Sequence, residues 1–154
     1  MTFLVKLFAS GFFIGYVPLA SGTFGSALGI PVALGQARLA SWNSWAAVAS
    51  FALFVCVASW VAGRAEEIFG RKDSSRIVID EVAGYLAATL LLPPTWGILL
   101  GAFVLFRLFD VLKPFPAARI DRELGGGWGV VLDDVVAGIY AQACLRALVA
   151  VGYL

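Results

Sequence analysis

Histidine is absent from the 154 residues, and charged side chains make up only 14% of them. The absence of histidine excludes Ser-His-Asp and Cys-His catalysis, a phosphohistidine intermediate and most zinc chemistry. Cysteine is nearly absent too: Cys56 and Cys144 lie in apolar segments without C-x-x-C spacing. This placement predicts buried small side chains rather than a disulfide, a metal site or a nucleophile.

An excess of basic charge is also missing, because 11 Lys and Arg face 10 Asp and Glu and the formal net charge is +1. No basic run exceeds two residues. The electrostatic footprint of a nucleic-acid-binding protein is therefore lacking, and we expect no nucleic-acid partner.

Hydrophobic residues, by contrast, make up 61% of the chain, and residues 7–37, 39–63 and 82–106 carry no charge. A bilayer-spanning helix needs about 20 apolar residues. The pattern predicts an all-α fold, a polytopic membrane helical bundle in one domain over residues 1–154. We expect about five spans, at residues 24–39, 45–63, 80–92, 95–111 and 130–154.

The ends of these spans indicate the topology. Residues 3–16 are apolar but interrupted by glycines, which predicts an interfacial or re-entrant segment that stays in the mature protein. Basic residues concentrate in the connections 64–76 and 113–127, which helix parity places on one side. The positive-inside rule predicts that this side is cytoplasmic and that the chain is a multi-pass protein of the inner membrane.

Five acidic residues fall at this same face: Asp80, Glu81, Asp110, Asp133 and Asp134. Clustered carboxylates repel one another unless a cation neutralises them, and Mg²⁺ prefers oxygen ligands. We therefore predict a magnesium site. The alternative is that an acidic residue merely begins a helix, where the macrodipole favours negative charge, but this does not explain Asp110 near a helix end. Asp121 is expected to be a solvated surface charge.

Arg107 and Lys113 lie three residues before and after Asp110. This i, i+3, i+6 spacing places all three on roughly one helical face, with two cations beside one carboxylate. The two cations are candidates to bind substrate; local ion pairing with snorkelling is the alternative.

Glycine-rich stretches at 21–26 and 125–129 are expected to be turns leading into helices. Their backbone N–H groups could face an anion, with Thr23 and Ser26 as substrate-binding candidates, although neither stretch is a P-loop and each could be a simple flexible turn. Carboxylates, a divalent ion, cations and anion-binding loops at a membrane face describe phosphoryl chemistry on a lipid headgroup.

A short internal similarity links Asp80-Glu-Val-Ala-Gly84 with Asp134-Val-Val-Ala-Gly138. Chance in apolar sequence is one explanation. If the similarity is structural, the glycines let two helices approach closely and set their aspartates face to face.

The same residues carry a resemblance to bacterial phosphatidylglycerophosphatase A, a family of magnesium-dependent membrane phosphatases. The matching segments are residues 18–26, Asp80-Glu81 with Gly84, residues 106–116, and residues 126–134 with Ala137-Gly138. The resemblance implies that the five acidic residues form the catalytic and metal-binding centre, with Arg107 and Lys113 on the substrate side. It also implies that phosphatidylglycerophosphate is converted to phosphatidylglycerol. The chain departs from the family's pattern at two positions: Ser21 stands where the family usually has proline, and Ala118 stands where a basic residue is expected.

Two other classes of membrane protein are alternatives. A CDP-alcohol phosphatidyltransferase would require D-x-x-D-G-x-x-A-R followed by D-x-x-x-D, and this signature is not found. A divalent-cation or anion transporter would require polar groups at mid-bilayer depth, where the residues between 82 and 106 are mostly apolar. Whether the chain forms a homo-oligomer stays open.

Overall fold

The computed structural model describes residues 2–72 and 74–154, which form helices and contain no strand. The described residues form seven α-helices: α1 (Thr2–Ala9), α2 (Ser21–Trp42), α3 (Ser44–Phe69), α4 (Ile79–Thr89), α5 (Trp96–Leu112), α6 (Ala117–Glu123) and α7 (Gly126–Ala150), with a 3₁₀ turn at Ile14–Tyr16. The all-α prediction is therefore confirmed.

Local sequence accounts for the helix ends. Asn43 caps α3 by accepting hydrogen bonds from the backbone N–H groups of Trp45 and Ala46, at 2.9 and 3.1 Å. Gly70 ends α3 in a left-handed conformation with φ of 64°, which glycine adopts without a Cβ penalty. Thr95 caps α5 after the two prolines that end the preceding turn.

Helix α7 is the centre of the bundle, because it packs against α3, α4, α5 and α6. Helix α4 is the most enclosed element: every residue but Glu81 is buried. Such an all-round apolar helix needs neighbours on each side, which α2, α3, α5 and α7 supply.

Two described helices, α3 and α7, are both long and apolar enough to cross a membrane. The prediction of about five spans is not confirmed: α4 has 11 residues, and a crossing needs about 20. Helix α1 has 8 residues and lies against α3. Its Ala9 carbonyl accepts the Val78 N–H at 2.9 Å, which ties the opening segment to the loop before α4.

Three local expectations are wrong. The stretch 21–26 is not a turn but the first part of α2. The stretch 125–129 is not a turn either, because α7 begins at Gly126. Cys56 is not buried but exposed on α3, while Cys144 is partly buried; both thiols are free.

Candidate active site

A cavity of about 460 Å³ opens where α4 and α7 begin and α5 ends, and α2 and α6 close its sides. Its volume is in the range of small-ligand sites. Among the residues that the structure describes, six carboxylates and two cations line it: Asp80, Glu81, Asp110, Asp121, Asp133, Asp134, Arg107 and Lys113. The structure thus brings together all five acidic residues singled out in the sequence, and both cations.

Glycines bring the two acidic helices into contact. A Cβ on Gly138 would collide with the carbonyl oxygen of Gly84, and one on Gly84 would collide with the Asp134 carbonyl. Helices α4 and α7 therefore pack backbone to backbone, as small residues permit. Asp80 and Asp134 lie one turn before these glycines, so the contact places both at the cavity.

Three of the carboxylates are buried: Asp80 is 7% exposed, Asp133 4% and Asp134 5%. Burying a charge is unfavourable unless it is paired or bound to a cation. The helix macrodipole favours Asp80 in the first turn of α4, where Asp80 Oδ1 also accepts the Glu81 N–H at 3.0 Å. It does not account for Asp133 and Asp134, because α7 begins at Gly126 and they lie about two turns inside it.

Arg107 joins two elements at the cavity wall. Its Nη1 lies 2.8 Å from Asp110 Oδ2 on α5 and 3.5 Å from Glu81 Oε1 on α4. This ion pair explains how Asp110 is accommodated in the last turn of α5, where the helix dipole disfavours an anion. Gly22 of α2 packs so closely that a Cβ there would collide with Glu81 Oε1.

Lys113 does not share the α5 face with Arg107 and Asp110, as the spacing had indicated. It follows the last helical residue in a left-handed conformation, with φ of 43°, which turns it toward α6 and α7. Its Nζ donates to Asp133 Oδ2 at 2.6 Å and to Asp121 Oδ2 at 3.1 Å. Burial lowers the pKa of Lys113, but the hydrogen bonds and charges of the two aspartates outweigh burial and raise it.

Asp121 is the site residue that sequence reasoning missed. It was expected to be a solvated surface charge, but it lines the cavity and pairs with Lys113. The signal for Asp121 in the sequence was weak, namely an acidic residue in a short polar connection. The seven-residue helix that forms there has no apolar run to indicate which way it folds back.

The two glycine-rich stretches have different places. Ser21 and Gly22 line the cavity, but Thr23 is exposed and the buried Ser26 hydroxyl donates to the Gly22 carbonyl at 2.9 Å. Neither Thr23 nor Ser26 lines the cavity. The stretch 125–129 packs on α3 instead and borders a separate cavity with Ser59 and Gly63.

Oxygen donors dominate the cavity, and this chemistry fits a hard divalent cation. Asp133 Oδ1 is buried without a hydrogen-bond partner while its other oxygen binds Lys113, so one acceptor remains for a ligand. Within residues 2–72 and 74–154, no three acidic or cysteine side chains are already gathered as a metal site. The donor types therefore fit Mg²⁺, and ion binding would have to draw the carboxylates together.

Residues 7–149 match the family model described as Phosphatidylglycerophosphatase A. The chain is 36% identical to a Phosphatidylglycerophosphatase A of Haemophilus influenzae over 94% of its length and 88% of the relative. It is 33% identical to the Escherichia coli protein of that name, over 90% of this chain and 80% of the relative. A Bacteroides thetaiotaomicron protein, provisionally named a phosphatidylinositol-3-phosphatase, is 34% identical over 91% of this chain and 90% of its own. No solved structure matches.

Proposed function

Because the chain belongs to the phosphatidylglycerophosphatase A family, we propose that it hydrolyses the terminal phosphate monoester of phosphatidylglycerophosphate. The products are phosphatidylglycerol and inorganic phosphate. The observation that carries the proposal is the cavity in which buried carboxylates from α4 and α7 face the cations Arg107 and Lys113.

The cavity residues suit the parts of this reaction. Arg107 can hold two phosphate oxygens through its planar fork, while Lys113 acts as a point charge. The buried carboxylates Asp80, Asp133 and Asp134 supply acceptors for the proton of an attacking water. A carboxylate takes one proton from the water as the water oxygen bonds to phosphorus and the bond from phosphorus to the glycerol oxygen breaks. The same proton passes to the glycerol oxygen, which leaves as an alcohol.

Magnesium dependence is part of the proposal. The described residues that line the cavity include six carboxylates and two cations, so a phosphate entering it meets strong repulsion unless further positive charge is present. Asp80, Asp133 and Asp134 would hold the ion, with Glu81 and Asp110 beside them. When bound, Mg²⁺ would neutralise charge on the nonbridging oxygens.

The membrane arrangement is likewise a proposal. Two helices suited to crossing support placement in the bacterial inner membrane as a multi-pass protein. We place α2, α3, α5 and α7 across the bilayer and let α4 enter only part of the way from the cytoplasmic side. The basic residues near the cavity end of the bundle support a cytoplasmic active site. Trp42, Trp45 and Trp96 are exposed at the opposite end, where interfacial aromatics belong.

The test is release of inorganic phosphate by purified protein in detergent micelles, with Mg²⁺ or with EDTA. Parallel assays offer phosphatidylglycerophosphate, phosphatidylinositol 3-phosphate and phosphatidic acid, since one relative is named for an inositol lipid. We expect turnover of phosphatidylglycerophosphate to exceed the others and to stop with EDTA. Preference for the inositol lipid would overturn the proposed substrate assignment. Full turnover in EDTA would overturn the proposed metal requirement.

A further inference from the structure

The Lys113 ammonium group is held between carboxylates from two different helices. Asp133 Oδ2 of α7 lies 2.6 Å away and Asp121 Oδ2 of α6 lies 3.1 Å away. The two partners differ in environment, because the Asp133 side chain is 4% exposed and that of Asp121 is 29% exposed. Asp133 is thus a buried partner, and Asp121 is a partly exposed partner at the mouth of the cavity.

The number of hydrogen-bond donors on Lys113 shows what the ammonium group can still bind. An ammonium group has three N–H donors and no acceptor, and two are directed at Asp121 and Asp133. One donor remains for a ligand oxygen in the cavity. A lysine with only Asp133 as partner would be free to rotate its long side chain around that single contact, losing a fixed direction for the remaining donor.

Helix α6 is held in a position from which Asp121 reaches Lys113. Lys72, from the loop after α3, donates through Nζ to the backbone carbonyl of Asp121 at 2.9 Å. The Asp121 backbone is therefore anchored from one side while its side chain reaches Lys113 on the other. Arg119 and Glu123 of α6 pair with each other at 2.9 Å and are mostly exposed, so they take no part in the cavity.

We propose that Asp121 is a positioning residue for Lys113: it holds the ammonium group between α6 and α7 so that Lys113 can bind the substrate phosphate. The proposal rests on the phosphatase activity proposed above. It assigns to α6 the task of completing the phosphate subsite, with Asp121 acting through Lys113 rather than on the substrate itself.

The matched variants are Asp121→Asn and Glu123→Gln, which neutralise one carboxylate each on the same helix. We expect Asp121→Asn to lower kcat/KM about tenfold, as loss of an orienting partner commonly does. Glu123→Gln should keep wild-type constants. Asp121→Glu retains the carboxylate and should recover most of the loss, which a purely steric role for Asp121 does not predict.

A double-mutant cycle then separates positioning from other roles. In a Lys113→Met background, Asp121→Asn should change kcat/KM by less than about twofold, because the group it positions is gone. The same tenfold loss in both backgrounds would overturn the proposal and indicate that Asp121 acts independently of Lys113.

A binding measurement covers the case in which Lys113→Met turns over too slowly to measure. Inorganic phosphate should raise the thermal midpoint of the wild type and of Glu123→Gln, and raise that of Asp121→Asn much less. An equal shift in all three proteins would overturn the positioning role. Absence of turnover in the wild type would instead overturn the phosphatase assignment, so the two failures are distinguishable.

Discussion

Helix α7 packs closely through glycine on both α4 and α3, and only the contact with α4 lies beside the candidate active site. Gly138 meets the Gly84 backbone of α4, and Gly127 meets the backbone of Ser59 and Gly63 on α3. At the first contact, buried aspartates lie one turn away on both helices. At the second, the nearby charges, Arg64 and Glu67, are exposed and neutralise each other at 2.8 Å.

The difference teaches that glycine spacing indicates where helices touch, whereas a cluster of buried carboxylates indicates the candidate ligand site. Close backbone approach is a packing device available at either contact. Carboxylates removed from water create a demand for a cation or a positively charged partner. If this division between the α4 and α3 faces of α7 holds, variants at the two faces should differ in their effect on activity.

The largest effect is expected from Asp134→Asn at the α4 contact. It keeps the side-chain volume but removes a buried charge from the site, so we expect activity to fall by about 100-fold or more. Glu67→Gln at the α3 contact is the control and should keep wild-type activity, with both variants checked by thermal melting. Comparable losses in the two would remove the distinction between the faces.

The glycines themselves give the next effect. Gly138→Ala and Gly127→Ala each introduce a collision with backbone, and overpacking of this kind costs about 1–3 kcal/mol. We expect both to melt at lower temperature, but only Gly138→Ala to lose more than about tenfold in activity per folded molecule. Gly125→Ala, which meets no atom within 4 Å, is the control for Gly127→Ala. Full activity in folded Gly138→Ala would contradict the role of this contact in setting the aspartates.

A smaller effect is expected from Arg107→Lys, which keeps the charge but loses the guanidinium group whose Nη1 pairs with Glu81 and Asp110. We expect kcat/KM to fall roughly five- to tenfold, appearing in KM if the contact is equal in ground and transition states. Steady-state kinetics on a variant with an unchanged melt provide the measurement. Wild-type constants would leave Arg107 as a structural partner of Asp110.

The smallest effect is expected from the double variant Cys56→Ser and Cys144→Ser. Both thiols lie outside the cavity, so activity should stay within about twofold of wild type. A loss of turnover in well-folded protein would point to thiol chemistry.

The sequence was sufficient to predict the helical class and five of the acidic residues that meet at the cavity, but not Asp121. Charge-free runs marked the helices, and parity along the chain put Asp80, Asp110 and Asp134 at one end. Burial of apolar surface dictates both features, and both are visible in composition alone. The roles assigned to these residues stay predictions.

Tertiary contacts decided what local rules could not. Residues 21–26 have turn composition, but the glycines there serve close packing of α2 on Glu81, so the segment is helical. Lys113 departs from the predicted face because the chain leaves α5 in a left-handed conformation. Asp121 was missed because its position depends on how α6 folds back, which seven residues without an apolar pattern do not specify.

Helix α4 is too short to cross a membrane, and in the proposed membrane placement its length determines how far Asp80 lies from the middle of the bilayer. At about 1.5 Å per residue, its 11 residues cover roughly 16 Å, about half of a hydrocarbon core. The carbonyl of Leu90 just beyond its end accepts hydrogen bonds from Gln142 and Arg146 of α7, at 2.6 and 3.3 Å. In the proposed orientation, these hydrogen bonds fix the C-terminal end of α4 against α7. The length of α4 then determines the depth of Asp80 relative to the lipid headgroups. One added turn would lift that carboxylate by about 5.4 Å, out of register with Asp134.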